Sequence, residues 1–247
     1  MTPIWRCRRS APNVHLTFPL IADPNVSHPC PSRDATGAGR FGDDARALLL
    51  DLLIWRRDVR RFRRDALVAG TLERLVKIAC LAPSVGLSQP WRFVLVGSPH
   101  RRDAVRASFE RCNAAALQDQ SGERASLYAR LKLAGLDDAP CQFAVFADHA
   151  AGQGHGLGRA TMPLTVDYSA VMAVHTLWLA ARAEGIGIGW VSILEPDVVV
   201  AALDVPPEWA FVGYFCMGYP VEEDDTPALE RAGWENRCDP SAVLFAR

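Results

Sequence analysis

The segment from position 167 to 194, "DYSAVMAVHTLWLAARAEGIGIGWVSIL", constrains the fold most, because it joins a long helix directly to a strand. Val171, Val174 and Trp178 recur at helical spacing, so one apolar stripe of this helix is expected to be buried. Asp167 is expected to cap the helix, and Gly185 is expected to end it before the strand at 188–194 begins. A strand that follows a buried helix without a long loop belongs in a central sheet.

The longest apolar run of the chain, 166–190, is interrupted by His175, Arg182 and Glu184. It therefore falls short of the ~18 uncharged apolar residues that a membrane span needs. The early arginines are followed by no apolar core of a secretory signal. A net charge of −1 gives no overall attraction to nucleic acid or anionic lipid. Seven scattered cysteines without a C-x-x-C pair fit a reducing compartment. We predict a cytoplasmic protein without a membrane or nucleic-acid partner.

Helices and strands alternate irregularly in the rest of the chain. Caps and breakers are expected at Asp43 or Asp44, Thr71, Ser98 and Gly135. The patterns predict helices at 43–57, 71–82, 98–119, 123–136 and 196–203, strands at 91–97, 141–148 and 210–218, and a glycine-rich loop at 150–165. Only about four strands emerge, and no regular βαβ series does. A three-layer α+β domain over residues 42–247 is therefore expected.

Residues 1–41 are rich in Pro, Ser, Arg and Gly and lack sustained periodicity. We predict a flexible N-terminal extension, because such a composition buries too little apolar area to offset the entropy lost on ordering. A protein that begins at Gly42 is expected to fold and to keep full activity. Solubility and turnover of the truncated protein test this, and an insoluble or inactive product contradicts it.

The stretch "IWRRDVRRF" places one acid, Asp58, among Arg56, Arg57, Arg60 and Arg61. One interpretation is a charged helix end that continues into a turn. The other is a phosphate clamp, because the planar guanidinium binds phosphate oxygens bidentately. In that case the carboxylate lies beside the reactive part of the bound molecule, where it can accept a proton.

The stretch "LAPSVGLSQPWRFVLV" ends a helix at Pro83, exposes backbone N–H groups from Ser84 to Gly86, and enters a strand after Gln89. Such a turn can bind the polar edge of a ring system. It can equally be a plain helix-to-strand connector.

The glycines of "AEGIGIGW" do not form a dinucleotide fingerprint. Trp190 and Ser192 break the G-x-G-x-x-G pattern, and the stretch leaves a helix for a strand instead of the reverse. The glycines are expected to let the strand backbone approach a flat ligand closely. Asp148, His149 and His155 match no common metal-site spacing, so no metal is predicted.

These three stretches, in this order, resemble the flavin-dependent nitroreductase superfamily over residues 43–240. The resemblance implies a three-layer α+β fold with a central mixed, mostly antiparallel sheet flanked by helices. It also implies a homodimer with FMN at the interface. Ordinary members have Ser where this chain has Asp58, and Asn where it has Leu87. Asp58, with "APSVG" and "GWVSI", is similar to a branch that fragments reduced FMN with O2 to 5,6-dimethylbenzimidazole, the lower ligand of vitamin B12, and erythrose 4-phosphate.

The resemblance also implies roles for single residues. Asp58 and Ser192 would serve the steps after oxygen adds. The segment "SLYARLKLAG" would be a lid, with Leu133 near the ring, and Arg237 would be a phosphate ligand. The remaining contacts implied with the flavin are Arg56, Arg57, Val59, Arg60, Pro83, Ser84, Gly86, Gln89, Gly189 and Trp190.

Two other functions are compatible with the sequence. One is an NAD(P)H-dependent nitroreductase or flavin reductase that keeps FMN as a cofactor, and Asp58 in place of Ser argues against it. The other is a flavin-binding or storage protein without turnover. If reduced FMN is the substrate, a separate NAD(P)H-using flavin reductase is expected to supply it.

Overall fold

The structure is a computed structural model that describes residues 41–247. The predicted N-terminal extension lies outside the described residues except for Phe41. The helices are α1 Asp43–Trp55, α2 Thr71–Ala79, α3 Pro99–Gln118, α4 Gly122–Tyr128, α5 Thr165–Ala183, α6 Pro196–Leu203 and α7 Ala228–Arg231. The strands are β1 Trp91–Leu95, β2 Cys141–Asp148, β3 Gly187–Val191 and β4 Trp209–Gly218, and two short 3-10 helices span Val85–Leu87 and Pro240–Val243.

The strands form one sheet in the order β1-β2-β4-β3, and every neighbouring pair is antiparallel. The expected mixed sheet is thus corrected, since its strands are all antiparallel. Parallel pairing within residues 41–247 is confined to an isolated bridge between Asp58 and Ile188. That bridge lies on the outer side of β3, where the arginine-rich stretch runs.

Alternate residues of β2 face two separate cores, which confirms the three layers. Phe143 and Val145 pack in one core with α2 and α5, whereas Ala144 and Phe146 pack in the other with α3 and α6. Strand β2 is buried on both faces because it lies between β1 and β4. Helix α5 crosses one face of the sheet and so supports several elements of the site.

Several predicted helix ends are wrong. Gly42 and Gly70, not the acids at 43 and 44 or Thr71, precede the first turns of α1 and α2. Asp167 is not the cap of α5 but its third residue, where its charge still suits the positive end of the helix. Gly185 does end α5, in the left-handed region at φ +71°.

The helix predicted over 123–136 ends early, at Tyr128. Long-range contacts hold the rest of this segment in a non-helical path. Gln142 Nε2 donates to the Leu136 carbonyl at 2.8 Å, and a Cβ on Gly135 would come within 2.3 Å of the Phe62 ring. Local helix propensity could not reveal these contacts. No helix in the described part of the chain is long and apolar enough to cross a membrane.

Candidate active site

The arginine-rich stretch leaves α1 at Arg56 and runs along the free side of β3. Val59 N donates to the Ile188 carbonyl at 3.0 Å, and the Trp178 ring nitrogen donates to the Arg57 carbonyl at 3.2 Å. The backbone of this stretch is thus fixed between the outer strand and α5. Its side chains project from a rigid base.

Two glycines of β3 make this approach possible. A Cβ on Gly189 would lie 2.0 Å from the Val59 carbonyl oxygen, and one on Gly187 would lie 2.6 Å from a Val59 methyl carbon. These glycines thus face the arginine-rich stretch, and a close approach of β3 to a flat ligand stays a prediction. They admit the protein's own chain, which carries Asp58.

Gly189→Ala is expected to lower the free energy of unfolding by about 2 kcal/mol or more, because its methyl group would collide with backbone instead of a flexible side chain. Gly97→Ala is the matched control, since nothing lies within 4 Å of its added Cβ. Chemical denaturation of both variants measures the difference. Equal stabilities would contradict the close contact.

The Asp58 carboxylate is held by two hydrogen bonds. Oδ1 accepts from the Trp190 backbone amide at 2.8 Å, and Oδ2 accepts from Arg60 Nε at 2.9 Å. The Asp58 side chain is 32% exposed. Each oxygen keeps lone pairs for a further donor. Asp58 is therefore oriented, reachable from the cleft and able to accept a proton.

Asp58 faces a cleft of about 290 Å³. One wall comes from the arginine-rich stretch, one from 130–132 and one from the chain after β4. The charged lining residues are Arg57, Asp58, Arg60, Arg61, Arg130, Lys132, Glu222, Asp224 and Arg231. Six of these are basic and three are acidic, so the cleft has an excess of positive charge and suits an anionic ligand.

Arg56 and Arg57 have unused donors. The Nε atoms of both are buried without a hydrogen-bond partner in the described structure. Burial, then the nearby charges of Arg237 and Arg56, lower the pKa of Arg57. Buried, unpaired donors are costly. Both the orphan donors and the mutual repulsion of these arginines fit a site for an anion such as phosphate.

Arg56 and Arg237 approach this site differently. The Arg56 guanidinium carbon lies 5.1 Å from the centre of the Trp178 ring. Arg237 is exposed, and its Nε is 3.9 Å from a Glu230 carboxylate oxygen. Its charge is nevertheless close enough to act on Arg57. Arg237 as a phosphate ligand stays a prediction.

The stretch 126–135, named the lid for the role that the resemblance implies, lines one side of the cleft with Arg130, Leu131 and Lys132. Arg60 Nη1 donates to the Lys132 carbonyl at 3.3 Å while Arg60 Nε holds Asp58. One guanidinium therefore links the lid to the acid. Leu131 and Lys132 line the cleft, whereas Leu133 lines a second cavity behind the lid. A contact of Leu133 with the ring stays a prediction.

The second stretch, 83–89, the ring turn, is braced from two sides. Val85 N donates to Ser169 Oγ at 3.0 Å, and a Cβ on Gly86 would lie 2.8 Å from the Leu157 carbonyl oxygen. Leu87 and Gln89 adopt positive φ angles of 55° and 43°. Strain in non-glycine residues often marks functional positions.

The ring turn and the arginine-rich stretch contact α5 at different points. Ser169 and Trp178 are nine residues apart, roughly 13 Å along a helix. Residues of the ring turn do not line the arginine cleft. The chain thus does not bring Pro83, Ser84, Gly86 and Gln89 together with Asp58.

Ser192 follows the last residue of β3 and is exposed. Trp190, two residues before Ser192, contributes the backbone amide that donates to Asp58. Ser192 does not line the cleft in one subunit, and its catalytic role stays a prediction. Sequence reasoning missed Trp178 as a support for the arginines, because its helical spacing indicated only a core residue.

Two cysteines of the sheet, buried Cys216 and half-buried Cys141, are not nucleophiles. Burial raises the pKa of the Cys216 thiol to about 12 and that of Cys141 to about 11. Both thiols are neutral at physiological pH and therefore unreactive. Of the three carboxylates that line the cleft, Glu222 and Asp224 pair with Arg231 at 3.5 and 3.3 Å, whereas Asp58 is fixed by the Trp190 amide and Arg60 and is the acid–base candidate.

The sequence and fold match known proteins. A model of the nitroreductase family matches residues 53–219. The chain is 61% identical over 189 residues to a 5,6-dimethylbenzimidazole synthase of Rhodospirillum rubrum, covering 76% of this chain and 90% of the relative. A synthase of the same name from Rhodobacter capsulatus is 50% identical over 195 residues, covering 79% and 94%.

Among solved structures, iodotyrosine deiodinase bound to FMN and 3-iodo-L-tyrosine superposes with a TM-score of 0.60 at 26% identity, covering 71% of this chain and 91% of that one. The family match, the identities and the shared fold agree. The chain belongs to the nitroreductase family and, within it, to the 5,6-dimethylbenzimidazole synthases.

Proposed function

We propose that this protein makes 5,6-dimethylbenzimidazole by oxygen-dependent fragmentation of reduced FMN, with erythrose 4-phosphate as the sugar product, for the lower ligand of vitamin B12. The observation that carries the proposal is a carboxylate, Asp58, fixed by two hydrogen bonds in an arginine-rich cleft. Relatives at 61% and 50% identity bear the name of this synthase. A related fold is known with FMN bound.

The donors of the site fit the flavin tail. The orphan Nε atoms of Arg56 and Arg57 are suited to a phosphate, and the excess of basic residues in the cleft balances its charge. The turn at Ser84 to Gly86 offers backbone groups to the ring edge. Reduced FMN supplies the carbon skeleton of the product, and O2 supplies the oxidising power.

Asp58 is proposed to act as the base or proton shuttle for C–H and C–C cleavage at the ribityl carbon. The Trp190 amide and Arg60 hold it in one orientation, so it meets the substrate without reorganising. The lid excludes water from the reacting atoms. Ser192 is proposed to orient or relay a proton, and Leu133, Val59, Gly189 and Trp190 are proposed to shape the ring site.

We also propose a homodimer in which the partner's ring turn completes each site. Helix α1 has no buried residue, and Leu49, Leu50 and Leu53 on it are exposed. Tyr168 and Met172 of the adjacent α5 are exposed as well. An apolar surface of this extent needs a partner.

The geometry of α5 supports an arrangement of two copies. Ser169 braces the ring turn and Trp178 the arginine-rich stretch, so the two supports lie on either side of Met172 and Ala173. A two-fold axis at this midpoint, with antiparallel α5 helices, brings the ring turn of one subunit beside the arginines of the other. Trp234, late in the chain, does not belong to this surface, because its ring packs on Tyr128 of its own chain with the ring centres 5.9 Å apart.

Met172→Glu is expected to give a monomer that has lost at least about 90% of its activity, because a buried unpaired carboxylate opposes association. Val68→Glu is the control, because Val68 is also apolar and exposed but lies outside the α1–α5 surface. Light scattering and turnover measure the outcome. An active monomer, or a dimer unaffected by the charge, would contradict the proposal.

The proposed function is tested by mixing the protein with chemically reduced FMN, admitting air, and analysing the products by mass spectrometry. We expect 5,6-dimethylbenzimidazole and an irreversible loss of flavin absorbance. Recovery of intact FMN with NAD(P)H-driven nitroaromatic reduction would favour an ordinary nitroreductase. Intact, bound FMN through repeated redox cycles would favour a storage protein. A separate flavin reductase as the source of reduced FMN, and a cytoplasmic location, stay predictions.

A further inference from the structure

A second cavity lies behind the lid, between it and α3. Its volume is about 150 Å³. Leu131 and Lys132 line both this rear cavity and the arginine cleft, so the lid is the wall between the two. A molecule released into the cleft is therefore separated from the rear cavity by one strip of chain.

The α3 side of the rear cavity is one stripe of the helix. Arg106, Phe109, Glu110 and Asn113 follow the i, i+3, i+4, i+7 spacing that brings residues to one helix face. The half-buried ring of Phe109 is flanked by the polar groups of Glu110 and Asn113. The lid side is mostly apolar. It is lined by Leu131, Lys132, Leu133, Ala134, Leu136 and Asp137.

The polar side chains that line the rear cavity differ in their hydrogen bonds and ion pairs. Asn113 Oδ1 accepts from the Tyr128 hydroxyl at 2.9 Å, and its amide nitrogen has no partner within residues 41–247. Asp137 is paired with Arg106 at 3.0 Å and with Lys132 at 3.6 Å. Glu110 forms no ion pair in the described structure. The cavity therefore offers one unused N–H donor, one unused carboxylate and an aromatic face between leucines.

We propose that the rear cavity binds the aromatic base 5,6-dimethylbenzimidazole after it leaves the cleft. This inference rests on the proposed function. A cavity of roughly 150 Å³ accepts a benzene ring, and this one is open on one side, so a bicyclic base fits with one edge towards solvent. An imidazole ring has one nitrogen that accepts and one that donates. The Asn113 amide can donate to the accepting nitrogen, and the Glu110 carboxylate can accept from the donating nitrogen.

The test is calorimetric titration of the flavin-free protein with 5,6-dimethylbenzimidazole. We expect one base bound per subunit, with the same affinity within twofold when oxidised FMN is present at saturation. Glu110→Gln and Asn113→Leu are each expected to weaken binding about tenfold, because the first removes the charge that strengthens the hydrogen bond to the base and the second removes a donor. Glu110 is exposed, so its variant folds.

Two variants serve as controls. Tyr128→Phe removes the hydrogen bond to Asn113 but not a cavity-lining group, and Glu123→Gln neutralises an exposed acid on α4. Both are expected to bind the base as the unaltered protein does. The proposal is overturned if the unaltered protein binds no base, if FMN displaces the base, or if the Glu110 and Asn113 variants bind normally. Failure of the proposed function would appear separately, as absence of the base among the products of reduced FMN and air.

Discussion

Asp58→Asn is expected to abolish formation of 5,6-dimethylbenzimidazole while leaving the binding of reduced FMN intact. The substitution removes the proton acceptor, and loss of a general base typically costs about 10²-fold or more in rate. Oxygen should still consume the bound reduced flavin, because the arginines are unchanged, and oxidised FMN should be returned. Separate quantification of the base and of recovered FMN distinguishes the two outcomes.

The two hydrogen bonds of Asp58 determine how Asp58→Asn changes the stability of the fold. The Asn oxygen can still accept from the Trp190 amide, but the amide nitrogen then faces Arg60 Nε, a second donor. We expect a loss of about 1–2 kcal/mol in unfolding free energy from this mismatch. Asp65→Asn is the matched control, because Asp65 also pairs with an arginine two residues away, at 2.8 Å, but is 57% exposed and outside the cleft. Product yield unchanged in the Asp58 variant would remove it from the mechanism.

Arg57→Gln is expected to weaken FMN binding about 100-fold. It removes a charge and the orphan Nε donor, and hydrogen bonds to charged groups contribute about 1.5–3 kcal/mol each. Riboflavin, which has no phosphate, should bind to the variant and to the unaltered protein with similar affinity. Equilibrium dialysis with both flavins measures the difference.

Arg63→Gln provides the comparison for Arg57. Arg63 belongs to the same basic stretch, but its Nε already donates to Asp65. The FMN affinity of the Arg63→Gln protein should match that of the unaltered protein. If Arg57→Gln weakened riboflavin and FMN equally, Arg57 would hold the ring or the fold and not the phosphate.

The helix-to-strand unit at 165–191 could be predicted because its information is local. Apolar spacing, a left-handed glycine and a β-rich run each report on a few neighbouring residues. The early end of α4 could not be predicted, because Gln142 and Phe62 hold the following segment from elsewhere in the chain. Strongly helical residues there gave no sign of these contacts.

The candidate site shows the same division. Asp58 and the arginines around it could be recognised because they are neighbours in one short stretch of the sequence. The bond from the Trp190 amide to Asp58 joins residues 132 positions apart and has no local signature. The close contact made by the β3 glycines has no local signature either. Their partner is Val59, which only the folded chain brings within reach.

The position of Asp58 along β3 also affects how readily the sheet can aggregate. An outer strand with free amide and carbonyl groups can recruit strands of other molecules. Here the Ile188 carbonyl and the Trp190 amide are occupied by the chain that bears the acid. A substitution that detached this segment would leave the backbone groups of β3 free to pair with strands of other molecules. It would also inactivate the site. The segment that carries Asp58 therefore protects the outer edge of the sheet as well as forming the site.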